Sequence, residues 1–295
     1  MVFPRELSGP LGFAEAAALP LQLSAGGLLA MASLITNDML MKLAAQDIPV
    51  GQTMFLRGLV VIPVLLLAAW HMGAWNKIRD AFHPTVMART TGEVGFNALY
   101  LTGLAHLPIA NANAILQLVP LLSTATAAFL LGELVGIRRW IAITVGFLGV
   151  LLVIRPGVDG FNGWTIFILV STLFATLRDL SSRRLPKGTT TVFVSFVSAV
   201  AVLLLSLVMG LFEDWDLGSI TPDALLYSGA AGLVLAVAYF SIIGAMRHGQ
   251  VAVVAPFRYT IILWAIVIQL LVFGVAPDQA TLIGSVILVG AGVYS

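Results

Sequence analysis

The chain alternates between long apolar stretches and short breaks rich in proline and glycine. A helix that crosses the hydrocarbon core of a bilayer needs about 20 mostly apolar residues, and ten stretches of about that length follow one another. They lie near residues 21–44, 51–70, 84–104, 108–130, 138–154, 163–182, 190–211, 222–245, 250–272 and 278–294. Because lipid offers no partners to free backbone groups, these stretches are predicted to be helices.

The segment before the first apolar stretch differs in character. Residues 1–20 contain Arg5, Glu6 and Glu15 and no long apolar run. The run that follows is longer than the core of a signal peptide, which has about 7–15 apolar residues. We therefore expect no cleaved signal and interpret residues 1–20 as a short cytoplasmic or interfacial segment.

The pattern repeats along the chain. Residues 48–51 (Ile-Pro-Val-Gly) end the first stretch as residues 185–188 (Leu-Pro-Lys-Gly) end the sixth, and residues 110–120 resemble residues 250–260. These matches predict two five-helix repeats, at 21–155 and 163–295. Five is an odd number, so the second repeat would enter the membrane inverted, which is typical of secondary transporters with a site between the halves.

The basic residues predict the orientation, because Lys and Arg are concentrated in cytoplasmic loops. With ten spans, one side carries Arg5, Lys77, Arg79, Arg89, Arg138, Arg139, Arg178, Arg183, Arg184, Lys187 and Arg247. The other side carries only Lys42 and Arg155, together with the acidic loop at residues 213–216. Both termini are therefore predicted to be cytoplasmic, in a bacterial-type inner membrane, and Arg178 with Asp179 is interpreted as a solvated pair at the cytoplasmic end.

Composition narrows the function classes. The chain is 59% hydrophobic and 10% charged, whereas soluble domains have about 45–50% apolar and about 25% charged residues. Without cysteine, disulfides, thiolate metal sites and a cysteine nucleophile are excluded. The net charge of +1 gives no reason to expect nucleic acid, and the scattered histidines predict no metal site. We expect no cofactor.

An alternative to a transporter is a membrane-embedded enzyme. Such an enzyme would need a nucleophile or metal motif such as G-x-S-x-G or H-E-x-x-H, and an ATP-driven pump would need a P-loop. The sequence contains none of these. It also lacks a recognisable pore motif, so a carrier is favoured over both an enzyme and a channel.

Two segments resemble a known family. Residues 131–134 (Leu-Gly-Glu-Leu) through Trp140, with Gly146 and Gly149 beyond, resemble the hairpin between helices four and five of the EamA family of the drug/metabolite transporter superfamily. Residues 55–58 (Phe-Leu-Arg-Gly) are similar to its second-helix arginine motif. Val275 stands where the family often has a second glutamate, so any role of that glutamate is absent.

The resemblance covers nearly the whole chain and is specific for the fold. It implies ten helices in two inverted repeats around a central cavity. It also implies a metabolite carrier similar to the YddG-type amino-acid exporters, with S-adenosylmethionine importers as an alternative. A monomer would suffice, because both repeats lie in one chain.

Ionisable residues inside spans are costly and therefore candidates for function. Arg258 lies in the ninth span beside the aromatic residues Phe257, Tyr259 and Trp264. Its guanidinium suits a carboxylate ligand, since it donates two parallel hydrogen bonds. The alternative is an arginine that is paired internally and holds helices together.

Glu93 lies in the middle of the third span, with Asn97 one turn later on the same face. Glu93 would hold a substrate ammonium or carry a proton; the alternative is that it neutralises Arg89 or Arg258. Asn97 is expected to line the same cavity as Glu93.

Further polar residues lie in other spans. Asn113 and Gln117 share a face of the fourth span and would line a cavity or join helices. Tyr239 is a weaker candidate for the cavity, because membrane tyrosines often lie at interfaces. Asp38 and Arg57, at similar depths in the first two spans, are predicted to form a structural ion pair.

Overall fold

The computed structural model describes residues 10–132, 135–155, 162–186, 188–216, 218, 220–248 and 258–294. All regular structure in these residues is helical, as the sequence predicts. The helices are α1 (Pro10–Ala44), α2 (Val50–His71), α3 (Pro84–His106), α4 (Ile109–Leu116), α5 (Leu118–Leu131), α6 (Ile137–Ile154), α7 (Gly163–Ser182), α8 (Thr191–Met209), α9 (Pro222–His248), α10 (Thr260–Phe273) and α11 (Gln279–Tyr294), with a 3-10 helix at Ala74–Phe82.

Seven helical segments within the described residues are long and apolar enough to cross a membrane, judged by length and composition. One of them, Ile109–Phe129, comprises α4 and most of α5. Three helices fall outside this set: α3, which has 23 residues and carries Arg89 and Glu93, and the shorter apolar helices α10 and α11.

The first and fourth spans differ from the sequence-based prediction. Helix α1 begins at Pro10 rather than near residue 21. The fourth span is interrupted at Gln117, whose N–H bonds the carbonyl of Ala114 in a tighter turn. Pro120 explains the interruption, because it supplies no N–H for the carbonyl of Leu116, and proline is tolerated only in the first turn of the helix that follows.

The distribution of polar groups is reversed relative to a soluble protein. Large apolar side chains such as Leu67, Phe129 and Leu271 lie exposed on the outside, whereas Arg57 and Glu93 are buried. This arrangement is favourable in lipid, because the outer surface contacts hydrocarbon. Charged groups are stabilised there only by contact with one another in the interior.

The principal helix contacts are related by an exchange of the two halves of the chain. The contact of α1 with α9 corresponds to the contact of α7 with α3. In the same way, the contact of α2 with α9 corresponds to the contact of α8 with α3. Likewise α1 packs on α10 as α5 packs on α7, while α2–α8, α6–α11 and α4–α10 each join equivalent helices. The fold therefore pairs each half with the other rather than forming two separate bundles.

Glycine allows the closest of these contacts. A Cβ on Gly92 of α3 would lie 2.7 Å from the backbone nitrogen of Arg178 and 2.8 Å from the carbonyl oxygen of Phe174 on α7. The contact between α6 and α11 is similar, since a Cβ on Gly284 would lie 2.7 Å from the carbonyl oxygen of Gly149. Small residues permit such close approach in membrane helices, and the α3–α7 contact brings Glu93 beside Arg178.

Candidate functional site

A row of buried polar side chains follows one face of α3. Arg89, Glu93, Asn97 and Tyr100 are separated by four, four and three residues, so they share a face of the helix. At 1.5 Å per residue the row extends about 16 Å. We call it the polar track; its partners come from α1, α2, α4, α7 and α8.

The middle of the track belongs to a chain of ionic contacts. Oε2 of Glu93 lies 3.5 Å from Nη1 of Arg178, whose Nη2 lies 2.9 Å from Oδ1 of Asp179. The other oxygen of Asp179 accepts a hydrogen bond of 3.2 Å from Nη1 of Arg258. The guanidinium of Arg178 also lies over the ring of Phe96, 5.0 Å from its centroid. These contacts join α3, α7 and Arg258, which lies two residues before the start of α10.

Arg57 of α2 is connected to Glu93 through the side-chain amide of Asn97. Its Nη2 donates to Oδ1 of Asn97 at 2.9 Å, and Nδ2 of Asn97 donates to the carbonyl oxygen and to Oε1 of Glu93 at 2.9 and 3.2 Å. Among the described residues, Arg57 has no carboxylate within the 4.0 Å of an ion pair. Its positive charge is therefore only partly compensated.

Arg89, at the start of the track, contacts hydroxyl groups: Nε donates to Ser182 at 3.1 Å and Nη1 to Ser198 at 2.7 Å. We call Arg57, Arg89, Glu93, Arg178, Asp179 and Arg258 the charged cluster. It contains four arginines and two carboxylates, so the cluster has an excess of positive charge and can receive an anion.

The other end of the track has a different character. The hydroxyl of Tyr100 donates to Oδ2 of Asp38 at 2.5 Å. Asn113 donates through Nδ2 to Oδ2 of Asp38 at 3.5 Å and to the Tyr100 oxygen at 3.1 Å, and Asn37 donates to Oδ1 of Asp38 at 3.3 Å. We call these four residues the Asp38 shell. Among the described residues, the hydrogen-bond donors to the Asp38 carboxylate are all neutral groups.

The predicted ion pair between Asp38 and Arg57 is not formed, because each has other partners. Arg57 contacts α3 at Asn97, whereas Asp38 contacts α3 at Tyr100, almost one turn further along the same face. Two side chains directed at different turns of a third helix interact at longer range but do not meet.

The structure groups the predicted site residues differently from the sequence analysis. Glu93, Asn97 and Arg258 belong to one connected network, and Tyr239 lies within electrostatic range of Glu93. Asn113 belongs to the Asp38 shell instead.

Gln117 lies beside that shell, since it donates to the carbonyl oxygen of Asn113 at 3.2 Å, while its own Oε1 is buried without a partner. The described residues also form a narrow crevice bordered by Met41, Lys42 and Leu104 among others, which has no room for a water molecule. No residue of the charged cluster lines this crevice, and the predicted central cavity stays a prediction.

The aromatic neighbours of Arg258 do not surround its side chain. Tyr259 is buried with its ring against Gly292 of α11, and Trp264 is 39% exposed on the outside of the bundle. Phe257 lies outside the described residues. Enclosure of a substrate side chain by Tyr259 and Trp264 is therefore not supported by their positions.

Arg178 and Asp179 are not the solvated pair that the sequence predicts. Their side chains are only 20% and 24% exposed, and they connect Glu93 to Arg258. A signal was present: α7 continues to Ser182, so both residues lie about one turn inside the helix, and the backbone of Arg178 packs against Gly92 of α3.

Comparison with known proteins agrees with this architecture. The model of the EamA-like transporter family matches residues 24–155 and again residues 162–294. A solved crystal structure superposes with a TM-score of 0.61 at 22% identity, covering 92% of this chain and 96% of that chain, which shows a common fold.

Several curated relatives are transporters. The S-adenosylmethionine uptake transporter of Rickettsia prowazekii is 25% identical over 196 residues, and the riboflavin transporter of Vibrio cholerae is 29% identical over 197 residues. Each alignment covers 65% of this chain and 64% of the relative, so it spans less than two thirds of the relative's length. The pseudopaline exporter of Pseudomonas aeruginosa is 24% identical over 287 residues, covering 91% of this chain and 95% of the relative.

Proposed function

We propose that this chain, which belongs to the EamA-like transporter family, is a secondary transporter that exports small zwitterionic metabolites, foremost amino acids, by alternating access. The observation that carries the substrate class is the excess of arginine in the charged cluster. Two carboxylates compensate only part of the charge of four buried or half-buried arginines, so a further carboxylate, brought by the substrate, would complete the balance.

Arg258 is the group that we assign to the substrate carboxylate. Its contact with Asp179 uses Nη1, and its side chain is 40% exposed. A guanidinium carries five N–H donors, so the remaining donors offer the paired geometry that a carboxylate accepts. Glu93, whose contact with Arg178 is long at 3.5 Å, would receive the ammonium group, with Asn97 beside it.

The fold part of the proposal is a ten-span protein with two inverted repeats, at 21–155 and 163–295, after a cytoplasmic segment at 1–20. The seven apolar spans, together with α3, α10 and α11, give ten. The paired helix contacts and the two family matches support the repeat, and five spans per repeat invert the second. Labelling of a cysteine introduced at Lys77 from outside intact cells would contradict this orientation.

A flux assay with matched substrates tests the function. The purified protein is reconstituted in proteoliposomes, which are loaded with a mixture of radiolabelled neutral amino acids. Counterflow of these amino acids is compared with counterflow of the corresponding primary amines, which lack the carboxylate. We expect exchange of the amino acids and none of the amines above empty liposomes. Equal exchange of both sets, or of neither, would reject a carboxylate-selective carrier.

A second candidate is uptake rather than export, which the S-adenosylmethionine uptake relatives favour. The same proteoliposomes separate the two substrate classes if S-adenosylmethionine and riboflavin are added as competitors. Strong competition by S-adenosylmethionine alone would favour that alternative. Efflux and accumulation of the competing compound by intact cells would then distinguish the direction of transport.

A further inference from the structure

We infer that Asp38 is the residue that carries a coupling proton, bound at its carboxylate in one state of the transport cycle and released in the other. The inference rests on the proposed transport function and adds its energy source: export of a substrate in exchange for a proton. The chemistry of the Asp38 shell suits a carboxyl group that changes its protonation.

The first observation is the burial of a carboxylate without a cationic partner. Asp38 is 8% exposed within an apolar helix, and no described cation lies within ion-pair distance. A charged side chain inside a membrane is costly unless paired. When no counter-charge is at hand, uptake of a proton removes most of that cost.

The second observation is that the shell can satisfy both protonation states. The ionised carboxylate accepts hydrogen bonds from Tyr100, Asn113 and Asn37. Oδ1 of Asn37 and Oδ1 of Asn113 are buried without any partner. A protonated Asp38 needs an acceptor for its hydrogen, and rotation of either amide would bring one of these oxygens into place.

A proton fits this shell better than a metal ion does. The Tyr100 oxygen lies 2.5 Å from Asp38 and 3.1 Å from Nδ2 of Asn113, so the polar atoms occupy hydrogen-bonding positions around the carboxylate. A metal ion would need to displace these donors and gather oxygen ligands on several sides. A proton needs no such space.

The cationic groups near Asp38 do not form ion pairs with its carboxylate. Lys42, one turn later on α1, directs Nζ to the carbonyl oxygens of Leu104, Ala105 and Leu107 at 2.7–3.0 Å. Arg57 of α2 attracts the carboxylate only from beyond ion-pair distance.

The remaining helices around α1 add little charge at this point. Helix α3 contributes Tyr100, α4 contributes the neutral Asn113, and α10 has no titratable residue between Thr260 and Phe273. Among the described side chains of α9, Asp223 and Tyr227 lie in its first two turns and Tyr239 lies near Glu93. Protonation of Asp38 is therefore governed mainly by its own shell.

The shell is also placed to influence the substrate site. Tyr100, which holds Asp38, lies three residues from Asn97, which holds both Arg57 and Glu93. Release of the proton strengthens the contacts from α1 to α3 and α4, because the hydrogen bonds then reach an ionised acceptor. Binding of the proton weakens them, which lets α1 move relative to α3 and couples the two sites.

Proteoliposomes with equal concentrations of radiolabelled neutral amino acids on both sides test the coupling. An imposed pH gradient should drive the wild-type protein to accumulate substrate at least several-fold. Asp38→Asn should abolish this accumulation while retaining measurable counterflow, and Asp38→Glu should restore part of it. The matched control is Asp223→Asn, at an exposed position at the start of α9, which should accumulate substrate like the wild type.

The outcomes are separable from failure of the proposed function. If Asp38→Asn accumulates substrate as well as the wild type does, the inference is overturned. It is also overturned if the wild-type protein shows counterflow but accumulates substrate only on a sodium gradient, or on neither a sodium nor a pH gradient. If no substrate is exchanged at all, infrared difference spectra across a pH jump decide without substrate. The carbonyl band of a protonated buried carboxyl should be absent in Asp38→Asn and shifted in Tyr100→Phe; a band unchanged in Asp38→Asn overturns the inference.

Discussion

The charged cluster and the Asp38 shell lie on the same face of α3 and differ in how their charge is compensated. In the cluster, Arg178 and Arg258 share Asp179, and Glu93 is held by Arg178. In the shell, one carboxylate is surrounded by a phenol and two amides. The first region has more positive charge than its carboxylates neutralise; the second has a negative charge and only neutral partners.

The two regions differ because different helices face α3 along the polar track, and these helices decide what each part of the track can bind. Helices α2 and α7 supply arginines, so their part of the track suits an anion. Helices α1 and α4 supply Asn37, Asp38 and Asn113, so their part suits a proton. A net charge is costly in a membrane. The excess positive charge of the cluster would be neutralised by an anion, and the unpaired negative charge of Asp38 by a proton.

The largest expected contrast between the regions is in stability. Arg178→Met leaves Glu93 and Asp179 without their shared guanidinium, and breaking a buried ionic network typically costs about 3–5 kcal/mol of the free energy of unfolding. Asp38→Asn keeps a hydrogen-bonding side chain among neutral partners and should cost about 1 kcal/mol. Thermal unfolding of detergent-solubilised variants, followed by tryptophan fluorescence, measures both.

The matched control for this contrast is Arg184→Met, which removes an exposed arginine just beyond the end of α7 and should leave the unfolding temperature nearly unchanged. Equal losses for Arg178→Met and Asp38→Asn would show that the two regions do not differ as described.

A smaller effect is expected on substrate affinity, and only for substitutions in the charged cluster. Charge-assisted hydrogen bonds contribute about 1.5–3 kcal/mol, so Arg258→Gln should raise the KM for amino-acid counterflow by roughly 10–100-fold. Arg258→Lys should also raise it, because an ammonium cannot replace the paired geometry of guanidinium.

Arg79→Gln, at an exposed position of the 3-10 helix, is the control for affinity and should behave like the wild type. Full retention of affinity in Arg258→Lys would indicate that Arg258 acts only as a counter-charge, and an unchanged KM in Arg258→Gln would remove it from the site.

The smallest effect concerns Arg57, which contacts the rest of the charged cluster through Asn97. Because Arg57 donates to Asn97, the variants Arg57→Gln and Asn97→Ala should show a coupling energy of about 1 kcal/mol in a double-mutant cycle of thermal stability. Arg57→Gln and Asp38→Asn should be additive within about 0.5 kcal/mol. Strong coupling in the second cycle would restore the ion pair that the sequence predicted.

The sequence analysis identified members of both regions but not their grouping. Glu93 and Asn97 were recognised as one face of a helix from their spacing alone. Arg258, Asp38 and Arg57 stood out because charged residues are rare in apolar stretches. The partners were predicted less well: Asp38 and Arg57 were paired from similar depth, and Arg178 was left in solvent because it lies near the end of a span.

These errors have one physical origin. Depth along a span follows from counting residues, but a pair also requires that two helices present their side chains toward each other. Rotation about the axis and the point of closest approach are set by packing, here by Gly92 against the backbone of Arg178. No periodicity within a single helix contains that information.

The all-helical membrane class follows from the amino-acid sequence alone, because hydrophobic length and backbone hydrogen bonding leave helices as the only solution for such stretches. The repeated pattern and the family are also legible in the sequence. Which charges are compensated depends on the packing of the helices. This packing brings Arg178 and Asp179 from α7 to Glu93, and it keeps Asp38 among the neutral groups of α1, α3 and α4. Charge compensation depends on distances of a few ångströms between helices that are far apart in the chain, and only the packed bundle fixes those distances.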